Sequence, residues 1–319
     1  MSTDLTAPQF TDESAAIVAL EASRWPNGEV HCPHCGSFKV RRMEGLTQAG
    51  MFLCNDCRDK FTARTGTVME RSHIKVHKWL LAIHLMNSSK KGMSAHQLHR
   101  MLGITYKSAW FLAHRIREAM AVDVKSSSPL GGTGKIVEAD ETYIGKVSGP
   151  APTKTTSGRP FTKGGKSGPA GKRAVVSLVE RGGHVRSFHV ANASVEYVRE
   201  VVVTNASRES TLYTDESRLY TKMGVEFASH DTVKHSAKEY VRGAVHTNTI
   251  EGYFSIFKRG MKGVYQHCAE HHLHRYLAEF DFRYSNRSAL GVEDGARAVT
   301  ALLGAKGKRL TYRGPYPVT

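Results

Sequence analysis

The chain has 319 residues, with 45 Lys and Arg against 29 Asp and Glu and a formal charge of +16. That length accommodates two or three domains and a sizeable core, and the excess of positive charge points to a polyanionic partner, nucleic acid first. No run approaches 18 apolar residues, which argues against a membrane-spanning helix. MSTDLTAPQF lacks the basic start and apolar block of a secretory signal, so the expected location is cytoplasmic.

Residues 1–70 are predicted to hold a short helix and a zinc ribbon. Thr11 to Ser23 starts on capping residues, Thr11 or Asp12, with Glu13 in the first turn. Cys32-Pro33-His34-Cys35 and Cys54-Asn55-Asp56-Cys57 follow, with 18 residues between the pairs. Four of the five cysteines in two CxxC pairs suit a reducing compartment and a metal better than disulfides. Two thiolates from each pair close a tetrahedron and leave no open position, so Cys32, Cys35, Cys54 and Cys57 are assigned to a structural Zn²⁺. A redox role for the pairs, or His31 or His34 in place of a thiolate, are the alternatives. FKVRRMEGLTQAGMFLC between the pairs reads as two strands around a Gly-containing turn.

Residues 71–125 read as a helix-turn-helix. Val76 to Met86 is a core-type helix, SAHQLHRML starts on Ser94 and stops at Gly103, and TYKSAWFLAHRIREAM starts on Thr105. In the last helix Ala109, Leu112, Ala113, Ile116 and Met120 form the apolar stripe. Lys107, Phe111, His114 and Arg115 lie opposite, where a recognition helix meets a major groove. Residues 126–135, SSSPLGGTGK, have the composition of a flexible linker.

Residues 136–290 read as an α/β catalytic core with a mixed sheet. Ile136 to Asp140 is a strand with Asp140 at its end. Ala174 to Glu180 and His184 to Val190 form a hairpin around Arg181-Gly182-Gly183. Ser194 to Asn205 is a helix, and Ser210 to Thr214 a strand that delivers Asp215. Residues 146–173 form an insertion rich in Gly, Pro, Ser and Thr, with seven Lys or Arg and no acid. This composition predicts a mobile loop whose Arg159, Lys163 and Lys166 contact DNA phosphates. HTNTIEGYFSIFK is an amphipathic helix: Ile250, Phe254, Phe257 and Met261 draw the apolar stripe, and Glu251 and Lys258 share another, two turns apart. The histidines at 267, 271, 272 and 274 are a soft metal signal, read as a face toward DNA or solvent. Cys268 reads as a packed or semi-exposed thiol. Residues 291–319 form a basic C-terminal tail with a short helix, VEDGARAVTALLG.

Two strand-borne aspartates and a helix-borne glutamate suit a site holding two Mg²⁺ or Mn²⁺ ions for phosphoryl transfer, which needs no covalent nucleophile on the protein. Glu138 lies on the same strand face as Asp140 and competes for the role, as do Glu141 and Asp231.

EADETYIG around Asp140, LYTDES around Asp215, and HTNTIEGYFSIFKRGMKGVY resemble the three motifs of bacterial insertion-sequence transposases of the ISXO-like group. HHLHRYLAEFDFRYSNR resembles that group's closing helix, with Tyr-Ser-Asn-Arg at 284–287 in place of the commoner Tyr-Asn-Arg-Arg. The resemblance covers most of the chain. It implies an RNase H-like fold with Asp140, Asp215 and Glu251 as metal ligands and Lys258 as the basic residue seven places on. Asn248 is the alternative third ligand, because some relatives carry Asn there; it sits about 60° around the helix from Glu251. The implied activity is metal-dependent cleavage and strand transfer by a DDE transposase that works on nucleoid DNA as a homodimer or larger complex. Lys107, His114, Arg115, Lys258, Arg259 and Lys262 are the expected DNA contacts. The rival readings are a transcription regulator built on an inactive core, and an RNase H-like nuclease that cuts without joining.

Overall fold

The computed structural model describes residues 4–45, 48–124, 126–147, 171–221, 223–234, 237 and 241–311. The chain divides into two compact units, one of Met1–Val122 with Asn286–Thr319, the other of Asp123–Ser285. No helix among the described residues is long and apolar enough to cross a membrane.

The first unit begins with α1 (Pro8–Thr11) and α2 (Glu13–Arg24). Asp12 caps α2 by accepting from the Ala15 amide at 2.7 Å. Strands β1 (Val40–Arg42), β2 (Met51–Cys54) and β3 (Lys60–Thr62) form an antiparallel sheet in that order. The first two are the strands expected between the cysteine pairs; the third follows the second pair. Trp25, Phe52 and Phe61 are buried together behind this sheet, with ring centroids 5.4–6.3 Å apart. Then come α3 (Val76–Ser88), α4 (Ala95–Leu102) and α5 (Tyr106–Met120). Ser94 accepts from the Gln97 amide and Thr105 from the Ser108 amide. Gly103 closes α4 at φ 58°, a left-handed conformation that favours glycine.

The second unit starts with the segment predicted to be a flexible linker, and from Leu130 onward it is stitched to the core. Leu130 is buried and exchanges backbone bonds with Asn205 and Ser207, and Gly131 donates to Glu180 at 3.0 Å. A side chain at Gly131 would collide with Ser210, so its glycine serves close packing and not flexibility.

The core follows: β4 (Ile136–Ile144), β5 (Arg173–Glu180), β6 (Val185–Val190), α6 (Val195–Asn205), β7 (Thr211–Asp215), β8 (Ser229–Val233), β9 (Val241–Arg242), β10 (Val245–His246), α7 (Asn248–Gly260) and α8 (Leu273–Ser285). The five-stranded sheet has the order β6-β5-β4-β7-β8. β4, β5 and β6 are antiparallel neighbours, whereas β4, β7 and β8 run parallel. This mixed sheet with helices on both faces is the RNase H-like arrangement. Side chains alternate across it. Val137, Ala139, Val176, Leu178 and Leu212 pack with Val198 and Val202 of α6. Val175, Val179 and Val185 pack on the other face with Ile250, Phe254 and Phe257 of α7 and Leu277 and Phe280 of α8. The apolar stripe of α7 is buried as its spacing predicts.

Asp281 of α8 is half-buried on this second face. It accepts from the Ser187 amide at 2.7 Å, from the Ser187 hydroxyl at 2.7 Å and from the Tyr253 hydroxyl at 2.5 Å. Burial pushes its carboxyl up to about 7 from 3.8, against these hydrogen bonds and the nearby Arg186 charge. A carboxyl raised on folding contributes stability that is full below its unfolded pKa and is lost as pH rises through the folded one. The melting temperature of the second unit is therefore expected to fall between about pH 4 and pH 7. Asp281→Asn should flatten that slope in a pH series of thermal melts; an unchanged slope would assign it elsewhere.

Beyond Ser285 the chain returns to the first unit. α9 (Asp294–Leu303) packs there against α3 and α5. Arg297 is buried and donates to the carbonyls of Asn87 at 2.7 Å, Asn286 at 2.6 Å and Val292 at 3.0 Å.

Candidate active site and metal centre

In the first unit Cys32, Cys35, Cys54 and Cys57 bring their sulfurs together, all within 4.8 Å of one another. Two of the Sγ–Sγ distances are 3.7 Å, Cys32 to Cys57, and 3.6 Å, Cys35 to Cys54. A tetrahedron with Zn–S bonds of about 2.3 Å has edges of about 3.8 Å, so the four thiols fit Zn²⁺. The fold presents them on two tight turns of one form: Gly36 donates to the Cys32 carbonyl and Arg58 to the Cys54 carbonyl, both residues at positive φ. The Cys57 amide draws the Cys54 thiol down to about 7, against desolvation and with help from the Asp56 amide. His31 packs beside Trp25 and Phe38 instead of joining the sulfurs. Among the described residues this is the one cluster of three or more metal-type side chains with ligand atoms so close. The histidines around position 270 do not form another.

In the second unit the sheet collects carboxylates. The parallel ladder pairs Glu138 with Tyr213 and stops there. Two residues further along each strand, on the same faces, stand Asp140 and Asp215. Asp140 is not at a strand end as predicted, because β4 runs on to Ile144 through its antiparallel pairing with β5. It is the parallel pairing with β7 that ends before Asp140. Asp215 ends β7 and accepts from the Ser217 amide at 3.0 Å. Glu251 stands in the first turn of α7, exposed, with the Thr247 hydroxyl on its carboxylate at 2.9 Å.

Desolvation raises the Asp140 carboxyl well above the usual range, and the charges of Glu141, Asp215 and Glu251 add to the effect, against a bond from the Glu141 amide. Mutual repulsion among four acids is the signature of a site that a cation would neutralise, and oxygen-only ligands suit a hard divalent ion. The carboxylates do not reach the mutual distances of the four sulfurs. They share a neighbourhood rather than a closed ligand cage. Asn248, the alternative ligand, is exposed at the first position of α7, and Asp231 on β8 faces Arg242 at 3.5 Å.

Two acids beside Asp140 differ in their surroundings. Glu138 is fully buried under α7 and bound to Arg181 at 2.6 Å. Glu141, on the opposite face of β4, accepts from the Tyr220 hydroxyl at 2.7 Å, and desolvation raises its carboxyl despite that bond. Sequence reasoning weighed Glu141 only as a rival ligand, although two adjacent acids on one strand were a signal that the charge around Asp140 would be dense. Arg181 was read only as a turn residue of the β5–β6 hairpin.

The expected DNA contacts divide. Lys107, Lys258, Arg259 and Lys262 are exposed. His114 is not on an open groove-facing surface: it is buried, with its ring 4.2 Å from that of Trp110. Arg115 is half-buried, lies over Phe111 and donates to the Leu310 carbonyl at 3.2 Å. The chain after α9 thus lies over Arg115 and the end of α5, where Lys308 binds the Ala119 carbonyl at 3.2 Å and that of Ala121. Arg159, Lys163 and Lys166 lie outside the described residues. An apolar recess of about 580 Å³ in the first unit, lined by residues such as Phe10, Ile83 and Leu302, carries no carboxylate.

Residues 129–285 match the ISXO2-like transposase domain, and residues 11–60 match the transposase zinc-ribbon domain. A protein in the transposable element ISH50 of Halobacterium salinarum, described as uncharacterized, is 30% identical over 278 residues, covering 86% of this chain and 91% of its own. Among solved structures the Mos1 strand transfer complex aligns at 13% identity, over 67% of this chain and 74% of that one, with a TM-score of 0.29. A pre-cleavage Mos1 transpososome aligns at 12% identity over 67% and 72%, with a TM-score of 0.27; both overlaps are too loose to add to the assignment. The sheet order, the acids on β4, β7 and α7, the four-sulfur cluster and these family matches agree, and the chain belongs to the ISXO2-like transposases: it is a DDE transposase of an insertion sequence, with a zinc ribbon ahead of its catalytic domain.

Proposed function

We propose that Asp140, Asp215 and Glu251 are the metal ligands of this transposase, holding Mg²⁺ or Mn²⁺ as a pair of ions. The observation that carries the reading is the strand pairing of Glu138 with Tyr213, which sets Asp140 and Asp215 two residues on at the same faces of adjacent strands, with the charges of Glu141, Asp215 and Glu251 adding to burial in raising the Asp140 carboxyl. When bound, the ions supply charge neutralisation for the attacking and leaving oxygens of an in-line phosphodiester displacement. The chain's own residues do the rest. β4 and β7 hold two carboxylates at adjacent strand positions, and α7 brings the third over the sheet. In the first reaction water attacks the scissile phosphorus and the 3′ oxygen leaves as a hydroxyl. In the second that 3′-hydroxyl attacks a target phosphodiester, so the number of such bonds is conserved. Joining in labelled element ends with a target plasmid tests the assignment; cleaved but unjoined product from the wild type would favour the nuclease reading.

Lys258, two turns beyond Glu251 on α7 and 5.8 Å from the Phe254 ring centre, and Arg259 and Lys262 beside it, meet DNA phosphates in this reading. Each phosphate contact releases about one counterion. Lys258→Ala is therefore expected to reduce the slope of log affinity against log salt by about 1, with little change in sequence preference. An unchanged slope in filter binding across a salt series would remove Lys258 from the interface. α4 and α5 act as the helix-turn-helix, with DNA contact confined to the exposed first turn of α5, around Lys107. Two or more copies of the chain pair the element's ends.

A further inference from the structure

We propose that Glu138 and Arg181 form a positioning clamp that sets the spacing of the three metal-binding acids, an inference that rests on Asp140, Asp215 and Glu251 being the ligands. The Glu138 carboxylate is fully buried and accepts from Arg181 Nε at 2.6 Å, the Thr249 hydroxyl at 2.8 Å and the Ile250 amide at 3.0 Å. His246 Nδ1 lies 3.5 Å away. The remaining guanidinium nitrogens reach the Ala244 carbonyl at 2.8 Å, the His246 carbonyl at 2.8 Å and His246 Nδ1 at 2.9 Å. Arg181 Cζ lies over the Tyr213 ring, 4.8 Å from its centre.

Three anchors of this network stand just ahead of a ligand. Glu138 is two residues before Asp140 on β4, and Tyr213 two before Asp215 on β7, each on the same strand face as its acid. Ile250 is the residue before Glu251 on α7. Thr247, at the start of α7, makes no side-chain cap, so an amide of the first turn is satisfied by Glu138 from the sheet. The acid also sits at the positive end of the helix dipole. One carboxylate and one guanidinium therefore join the three elements that carry the ligands.

Stability alone does not explain the pair. Apolar side chains fill the sheet–helix interface on either side of it, and a buried ion pair is commonly no better for stability than such packing. What the pair adds is direction. Arginine's planar fork fixes angles that a hydrocarbon contact leaves loose.

The test measures Mn²⁺ binding to the zinc-loaded full chain by loss of the free-ion EPR signal, with thermal melts and Mn²⁺ titration of strand joining alongside. Arg181→Met is expected to weaken Mn²⁺ binding about tenfold or more, as losses in the shell behind metal ligands do. It should raise the Mn²⁺ concentration for half-maximal joining by the same factor. Thr249→Val, which deletes one bond to Glu138 and keeps the shape, is expected to weaken binding about threefold. A folded Arg181→Met protein that binds Mn²⁺ within twofold of wild type overturns the clamp. If Arg181→Met does not fold, unchanged Mn²⁺ affinity in Thr249→Val overturns it. Asp140→Asn separates the two ideas: Mn²⁺ binding retained there sinks the ligand assignment itself, whereas binding lost there but unshifted in the Arg181 and Thr249 variants sinks only the clamp.

Discussion

Asp140→Asn, Asp215→Asn or Glu251→Gln is expected to lower strand joining about a thousandfold or more while leaving affinity for the element's ends within a few fold. Metal-based charge stabilisation is worth several kcal/mol, and each ~1.4 kcal/mol is tenfold in rate. Losing one ligand therefore removes most of the acceleration. The substitutions should also raise stability slightly, since each relieves repulsion among acids that crowd Asp140. That combination of lost joining with retained or increased melting temperature separates a ligand from a structural acid. Asn248→Ala is the control: it should join as the wild type does. If Asn248→Ala is dead and Glu251→Gln is active, the third ligand has been misassigned.

Removing the metal from the four-cysteine site, by a strong chelator or by Cys54→Ser, is expected to unfold the ribbon. Binding of structural zinc is worth about 10–16 kcal/mol in small zinc modules, comparable to or larger than the whole stability of a domain. The ribbon has few other resources. Its sheet consists of strands three or four residues long, and its core rests on Trp25, Phe52 and Phe61. Near-UV circular dichroism should lose the aromatic signal of these residues. The second unit, which contains none of these cysteines, should keep its own thermal transition. A first unit that melts at an unchanged temperature after complete removal of zinc would show that the sulfurs do not hold the fold.

Local signals carried much of the architecture. The two CxxC pairs at their spacing announced the ribbon, and the caps at Ser94 and Thr105 marked helix starts that the structure reproduces. Strand-like runs on either side of Arg181-Gly182-Gly183 announced β5 and β6, and the period of Ile250, Phe254 and Phe257 announced the buried face of α7. These features depend on neighbours within a few turns, so composition and spacing suffice to read them. The family motifs then singled out Asp140, Asp215 and Glu251 from 29 acidic residues.

Other features depend on residues far apart in the chain, and no local pattern encodes them. His114 looked available for DNA because α5 by itself has a polar side. It is buried instead, and the chain beyond α9, some 190 residues later, lies over its neighbour Arg115 and the end of α5. Residues 130–135 have a linker's composition, yet Glu180 and Ser210 accept from the amides of Gly131 and Gly132. Glu138 and Arg181 are 43 residues apart, and only the pairing of β4 with β5 and β7 puts them together beneath α7. By itself the sequence determined which elements form and which chemistry they carry, because hydrogen-bonding caps, hydrophobic period and ligand type are local properties. The tertiary structure alone decided which charges share a desolvated space, because burial and electrostatic coupling arise only when distant segments exclude water from one another.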